Sequence, residues 1–474
     1  MFRHHTAALR DNIEGNRLIE KPDYIRGVID SPEFQRLRNI RQMGLASYVF
    51  PTAEHSRFAH SLGAFGTAQE VFWHLNARAA HHDLIMPGLR FDDTTEKDFC
   101  IAAMCHDLGH TAFSHVLETT LLPENCKNHE ACTILILSSE TEIATEIQNS
   151  ADKEAVIALI EKNHPNPTLN DLVSGAFDVD RCDYVLRDSV MSGVEYGQFD
   201  LKWLIRALNV ELNPSGRPMM VLDGPRGLDA LRQFFSARRY MHRQVYYHRS
   251  VRSVQLLMKS IFERMQDLGP NNDTRSMAPR SLHCLMKGEK PTLGEFLSTT
   301  DAEVMNMIRN FARAHKDKVL KHLSNLFVRR QIPKCILDSS RLTEPISTLY
   351  RIADDPREGG APEQQEMWPL MLEGASTVLA ELRDFVARQL AQADAPAEAA
   401  RYLVNFDAPD FRSFKTLDFL FAFGQRILPY DKISPDCIGF NMSSLLEEFT
   451  INRLFVPRGI EGEARDFLDQ RYRF

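Results

Sequence analysis

Apolar residues along this chain recur mostly with the period of an α-helix. Ser31-Pro32-Glu33 sets a capping residue before a proline suited to a first helical turn, and Phe34, Leu37, Ile40 and Met43 then repeat at helical spacing up to a predicted stop at Gly44. Leu62, Phe65, Ala68, Val71, Phe72 and Leu75 mark one face of a helix over 61–81. Residues 98–106 are almost wholly apolar and predict a buried helix that runs straight into Asp107. Helical patterning continues over 129–149, 152–163, 168–190, 198–209 and 226–268. It breaks at 207–223, where Asn213-Pro214-Ser215-Gly216 between short runs of Val, Leu and Met predicts a small β-hairpin. Residues 269–280 read as a loop, and 354–366, rich in Pro, Gly and charge, as a linker. A helix is expected over 368–396, and a few strands after it. The expected fold is mainly α: a helical core over 1–353, the linker 354–366, and a smaller mixed α/β region over 367–474. No internal repeat is visible.

Composition narrows this picture only a little. A chain of 474 residues can bury a large core without a disulfide or metal staple. The eight cysteines form no paired framework and include no Cys-x-x-Cys, as expected in a reduced, cytoplasmic compartment. The N-terminus lacks a signal-peptide core, and no run of about eighteen uncharged apolar residues predicts a membrane helix. A net charge of −8 argues against strong nucleic-acid or anionic-membrane binding, while leaving room for a local basic pocket.

Three segments carry the chemistry: HSRFAHSLG (55–63), CHDLGHTAFSH (105–115) and FDVDRCDYVLRDS (177–189). His and Asp are first-choice ligands for a divalent ion in a mixed nitrogen and oxygen site. His106 and Asp107 are neighbours, which point about 100° apart on a helix, so the helix is expected to end there, with Gly109 easing the turn. His60 and Asp180 would close the site from other helices. Such a set suits manganese, magnesium, iron or zinc and does not choose among them. Stray core histidines would also explain part of the pattern. His110, His115 and His129 could transfer protons, with Glu118 and Glu130 orienting them. Asp178 and Asp183 read as a solvated acidic face or a cap. In ARRYMHRQVYYHRSVR (237–252), Arg238, His242, Tyr246 and Arg249 fall on one expected helix face, where Arg could grip phosphate and Tyr could stack on a base or sugar.

These segments, in this order, resemble the HD-domain superfamily of phosphohydrolases. The branch they resemble most is the deoxynucleoside triphosphate triphosphohydrolases, which includes the SAM-and-HD-domain enzymes of vertebrates and bacterial relatives. The run VIDSPEFQRLRNIRQMGLASYVFPTAEHSRFAHSLG (28–63) is similar to that branch almost without gaps, and the similarity extends over roughly 20–330. The resemblance implies an HD-domain helical bundle that cleaves a deoxynucleoside triphosphate to deoxynucleoside and intact triphosphate. It implies His60, His106, Asp107 and Asp180 as metal ligands, and His110, His115, Glu118 and His129 as catalytic residues. Arg57, Arg181, Tyr184, Asp188, Arg238 and Tyr246 would hold triphosphate and sugar, and Gln42 and Met43 would line the nucleoside pocket. It further implies a nucleotide activator at Asp30, Gln35 and Arg38 in a homo-oligomer, tetramer or dimer. The chain departs from the family pattern at Glu118 (Asp), Arg181 (Lys) and Cys182 (Trp), and no SAM domain is expected ahead of the helical body. Two other readings remain: a phosphohydrolase of another nucleotide or phosphoester, and a nucleotide-sensing or nucleic-acid-binding regulator.

Overall fold

The computed structural model describes residues 7–13, 17–83, 92–124, 126–175, 177–212, 218–339, 362–411, 420–424, 426–433 and 448–472. The fold is mainly helical with small sheets, as expected. The chain divides into two compact units that alternate along the sequence: Met1–Tyr246, Lys290–Ala302 and Ser413–Glu447 form the first, and Tyr247–Glu289, Glu303–Arg412 and Glu448–Phe474 the second. Of the expected linker, 354–361 lies outside the described residues, and Pro362 opens the helix Pro362–Gln392.

In the first unit, α1 (Arg57–Asp83) packs against α2 (Asp93–Cys105) and α4 (Val179–Ser192), and α3 (His129–Ser138) lies over the turn that follows α2. Every residue of α2 from Asp98 to Cys105 is buried. A helix apolar on all sides belongs at the centre of a fold, which explains its lack of amphipathic pattern. Phe72 of α1 stacks on Phe99 of α2 with ring centroids 6.1 Å apart. Each such buried ring contributes about 1.5–3 kcal/mol of transfer free energy. Asp92, Asn128 and Asp178 cap α2, α3 and α4 by accepting the amides of Thr95, Ala131 and Arg181.

Two antiparallel strands, β1 (Ala7–Arg10) and β2 (Leu18–Lys21), precede these helices. The expected hairpin is β3 (Leu208–Leu212) with β4 (Pro218–Asp223), paired antiparallel from Leu208↔Leu222 to Leu212↔Pro218. Its outer strand is completed from the far end of the chain. Residues Leu420–Phe423 run parallel to β4, and Arg426–Pro429 then turn back on them.

Local boundaries differ from the expected ones where a capping residue intervenes. The helix expected over 129–149 is His129–Ser138 followed by Glu142–Ser150, because Thr141 caps a new start. The helix expected over 168–190 is Pro167–Ser174 followed by α4, restarted at Asp178. Gly44 ends no helix; it opens the tight turn Gly44–Tyr48 with a positive φ of 52°. A short helix, Asn272–Met277, lies within the expected loop 269–280.

In the second unit, helix Arg249–Leu268 packs on Lys318–Val328. A three-stranded antiparallel sheet places Arg453–Val456 between Lys334–Asp338 and Asn405–Asp407, and all four residues of this central strand are buried. The buried Arg453 guanidinium pairs with Asp338 at 3.0 Å. Among the described residues, no helix is long and apolar enough to cross a membrane.

Candidate active site

His60 lies in the first turn of α1, fully buried, and Asp180 in the first turn of α4. α2 ends at Cys105, so His106 is its cap and Asp107 the start of a turn. Ending the helix there removes the angular conflict between adjacent residues. His60 Nε2 stands 3.0 Å from Asp180 Oδ1 and 3.6 Å from Asp107 Oδ2. His106 Nε2 stands 3.2 Å from Asp107 Oδ1 and 3.3 Å from Asp180 Oδ1. Ligating atoms of His60, His106 and Asp180 all fall within 4.8 Å of one another.

The tautomers fit a cation. His106 Nδ1 lies 2.8 Å from the Ala103 carbonyl, which can only accept, so Nδ1 carries the proton and Nε2 offers a lone pair. His60 Nδ1 is likewise held by Asp183 at 2.9 Å. Both Nε2 atoms are buried and make no hydrogen bond, although carboxylates adjoin them. Two such nitrogens facing two carboxylates are satisfied together by one divalent ion. The local charges demand a cation as well. Burial opposes ionisation of Asp107 and Asp180, yet Arg57 and the imidazoles hold Asp107, and His106 and His60 hold Asp180, well below the usual carboxylate range. Burial also disfavours a charged His60, but Asp180 and Asp183 outweigh it and raise its pKa to about 9.

Asp178 is the cap that the sequence allowed, but Asp183 is neither a cap nor a solvated acid. It is 1% exposed and accepts from His60 Nδ1, from Arg187 Nε at 2.8 Å and Nη2 at 2.9 Å, and from Arg17 Nη2 at 3.4 Å. Asp11, between the two N-terminal strands, pairs with both arginines at 2.8–3.1 Å. Spacing held a signal here, because Asp180, Asp183 and Arg187 fall at i, i+3 and i+7 on one helix face. Asp183 fixes the His60 tautomer. Asp183→Asn is expected to weaken divalent-metal affinity about 10–100-fold with little change in secondary structure, read by metal titration of the stripped protein. Wild-type affinity in that variant would remove the orienting role.

His110, His115 and His129 form a second group. The His110 and His129 rings stack 3.9 Å apart at 15°, and the His115 ring lies 5.1 and 5.4 Å from them. Glu118 joins two of them: Oε2 lies 2.8 Å from His115 Nδ1, and Oε1 lies 2.8 Å from His129 Nδ1. Glu130 does not orient any of them; it is exposed, and its carboxylate accepts from Asn128 at 3.3 Å. The three rings are close enough to share an ion. Stacked imidazoles, however, direct their in-plane lone pairs side by side, so they cannot converge on one centre. The group suits proton transfer better. Burial, with the Arg57 charge, pushes His110 well below the usual imidazole range, which keeps it neutral. The two imidazoles hold Glu118 ionised against its burial.

Arg57, at the start of α1, reaches Asp107 through Nη1 and the Ser114 hydroxyl through Nε at 3.1 Å and Nη2 at 2.8 Å. Phe113 and Ser114 both have positive φ, 54° and 52°. Non-glycine residues held there cost of order 1–3 kcal/mol each and cluster at functional sites. Across from them Gly44 packs so closely that a Cβ would stand 3.2 Å from the Phe113 carbonyl oxygen. Gln42 is half-buried, Met43 is buried, and the Gln42 amide donates to the carbonyl of His55. Buried Asp188 accepts from Tyr246 Oη at 2.7 Å and lies 2.7 Å from His55 Nε2, a residue that the sequence reading passed over. The Tyr184 and Tyr246 rings meet edge to face at 6.3 Å. The Arg238 charge adjoins Tyr184, and Arg181 reaches Asp178 and the Gly175 carbonyl. Arg249 does not share the face of Arg238, His242 and Tyr246. The helix Gly224–Met241 gives way to a wide π-turn, His242–Tyr246, and Arg249 opens a new helix in the second unit. Gln35 accepts from Arg38 Nε at 2.7 Å, the Arg38 guanidinium lies 3.6 Å from the Phe58 ring centroid, and Asp30 is exposed.

The family model described as HD domain matches residues 57–188, from Arg57 at one edge of this site to Asp188 at the other. Residues 57–188 are an HD domain. The uncharacterized protein YwfO of Bacillus subtilis (strain 168) is 29% identical to the chain over 308 residues, 64% of this chain and 66% of that protein. A Dictyostelium discoideum protein named deoxynucleoside triphosphate triphosphohydrolase SAMHD1 homolog is 29% identical over 275 residues, 55% of this chain and 49% of that one. The chain thus spans about half to two thirds of the length of these curated relatives. A phosphohydrolase from Bacteroides thetaiotaomicron has the same fold, with a TM-score of 0.74 over 96% of this chain and all of that one, at 23% identity. His60, His106, Asp107 and Asp180 all fall inside the HD domain, and so do His110, His115, Glu118 and His129. Arg238 and Tyr246 lie beyond its end and Gln42 and Met43 before its start.

Proposed function

We propose that the chain hydrolyses deoxynucleoside triphosphates to deoxynucleoside and intact triphosphate, by attack of water at the α-phosphorus. The observation that carries this reading is the pair of buried Nε2 atoms of His60 and His106, without hydrogen bonds and facing Asp107 and Asp180, with a group suited to proton transfer beside them. A divalent ion held by these four residues would lower the pKa of a bound water and offset charge on the phosphoryl oxygens. The ligand set accepts manganese, magnesium, iron or zinc.

The chain's own residues supply the rest. Glu118 fixes the Nδ1 proton of His115, so its outward Nε2 is the atom that exchanges a proton with the leaving 5′-oxygen. His129, held by the same carboxylate, and neutral His110 complete the relay. Arg57 brings positive charge against Asp107, and Arg181 and Arg238 extend it along the triphosphate. Asp188 receives a sugar hydroxyl, and the edge-to-face rings of Tyr184 and Tyr246 close on the sugar. A ring packed there disfavours a 2′-hydroxyl by contact, which selects deoxynucleotides. Gln42 and Met43 line the nucleoside end. The activity for which the Dictyostelium relative is named supports this substrate class. Asp30, Gln35 and Arg38 belong to the same proposal as a nucleotide-activator contact in a homo-oligomer.

The test is product release from the four dNTPs and four NTPs, singly and mixed, with manganese or magnesium. Triphosphate and deoxynucleoside should appear from dNTPs, and turnover confined to mixtures would assign the activator site. Release of phosphate or pyrophosphate, or no turnover with metal bound, would sink the reading.

A further inference from the structure

Asp301 lies far along the chain from the HD domain, at the start of the helix Asp301–Ala314, and is 7% exposed. An aspartate opening a helix commonly caps it. Here both carboxylate oxygens are turned to distant backbone amides: Oδ1 accepts the Phe113 N–H at 2.8 Å and Oδ2 the Arg41 N–H at 3.0 Å. These amides lie in the two walls of the site. Phe113 begins the pair of left-handed residues, a conformation that a bulky side chain keeps only when its surroundings enforce it. Ser114, the second of the pair, carries the Arg57 guanidinium, and His115 follows directly. Arg41 precedes Gln42 and Met43.

The neighbouring backbone adds to the brace. Arg36 donates to the His110 carbonyl at 3.0 Å and to the Thr299 carbonyl at 3.2 Å, and its guanidinium lies 4.5 Å from the Phe296 ring centroid. Arg36 thus ties the His110 carbonyl to Thr299 and Phe296, while Asp301 holds the Phe113 amide directly.

We propose that Asp301 is a positioning residue: its carboxylate holds the 113–114 turn in the left-handed conformation and so sets where Ser114, Arg57 and His115 stand around the bound phosphate. The kinetic part rests on the hydrolase reading above; the conformational part does not. Both partners are donors, so an asparagine can satisfy one amide while its NH₂ faces the other. Alanine satisfies neither.

The experiment compares the full chain with Asp301→Asn and Asp301→Ala at a temperature well below the Tm of each. Three quantities are read: kcat and KM per tightly bound metal ion, metal occupancy, and hydrogen exchange of peptides covering 111–116 and 99–105. Expected are losses of kcat of about 10-fold for Asn and about 100-fold for Ala, the scale of a displacement of about 1 Å at a catalytic group. Metal occupancy should hold, and exchange should accelerate in 111–116 but not in 99–105. A residue with only a structural role would lower Tm and leave kcat per loaded chain at the wild-type value. That result, or unchanged exchange in 111–116, overturns the proposal. If alanine prevents folding, the near-isosteric asparagine decides. If the wild-type chain cleaves no nucleotide, the proposed reaction falls while the exchange result still judges Asp301.

Discussion

Asp180→Ala is expected to leave a folded chain that no longer retains a divalent ion and turns over at least about 10³-fold more slowly, a barrier increase of about 4 kcal/mol or more. Asp180 Oδ1 stands within 3.3 Å of both His60 Nε2 and His106 Nε2. Removing it takes away the oxygen between the two imidazoles and the negative charge that favours a cation there. The fold has little reason to suffer. The Asp180 side chain is 29% exposed, and the cap of its helix is Asp178, which is untouched. The His60 tautomer is held from its other side by Asp183. Metal content after dialysis, thermal unfolding and turnover measured together give the answer. A variant that kept its ion and more than about a tenth of its activity would place the metal elsewhere.

The second large effect is expected from the smallest substitution. Gly109→Ala should destabilise the chain by about 3 kcal/mol or more and abolish turnover in the fraction that folds. A Cβ on residue 109 would stand 2.1 Å from the His129 carbonyl oxygen and 2.4 Å from the Thr133 amide nitrogen. Both are backbone atoms of α3, so no side-chain rotation relieves the clash, and the helix must move. Moving it pulls His129 from its stack on His110 and from Glu118. It also breaks the Thr133 hydroxyl bridge, which accepts from the Gly109 amide and donates to the His106 carbonyl, each at 2.9 Å. Unfolding by denaturant and turnover at low temperature check this. Wild-type stability would show that α3 can withdraw without cost.

Asp180 was a candidate from the sequence, whereas the close packing of Gly109 on α3 was not: there Gly109 read only as easing the turn. The candidate metal group is a matter of residue type: few side chains suit a divalent ion, and HDLGH set at the end of an apolar helix is less often the work of stray core histidines. A helix end near His106 and Asp107 was legible too, since neighbouring residues point about 100° apart on a helix; the structure ends it at Cys105. Asp178 and Asp183 show where such reasoning ends. Both are aspartates in one short segment; one caps a helix and the other is buried against His60, Arg187 and Arg17. Spacing along α4 put Asp183 near the face of Asp180, but only the partners on other elements make it an orienting group. In the same way Glu118 meets two histidines and Glu130 meets none, though both adjoin the motif.

The sequence by itself determined the helical character of the chain, a hairpin within 207–223, the residue types that suit a divalent ion and a helix end near His106 and Asp107. Each follows from local physics: a period of 3.6 residues, the reach of a cap, or the affinity of imidazole and carboxylate for a cation. Only the tertiary structure decided that residues 420–429 complete the sheet begun by the hairpin, that Tyr246 closes a π-turn and the next helix restarts at Arg249 after the cap His248, and that Asp301 meets amides 188 and 260 residues away. Those arrangements depend on which backbone groups would otherwise be buried without partners. That requirement is settled between elements when they pack, and it leaves no periodic trace along the chain.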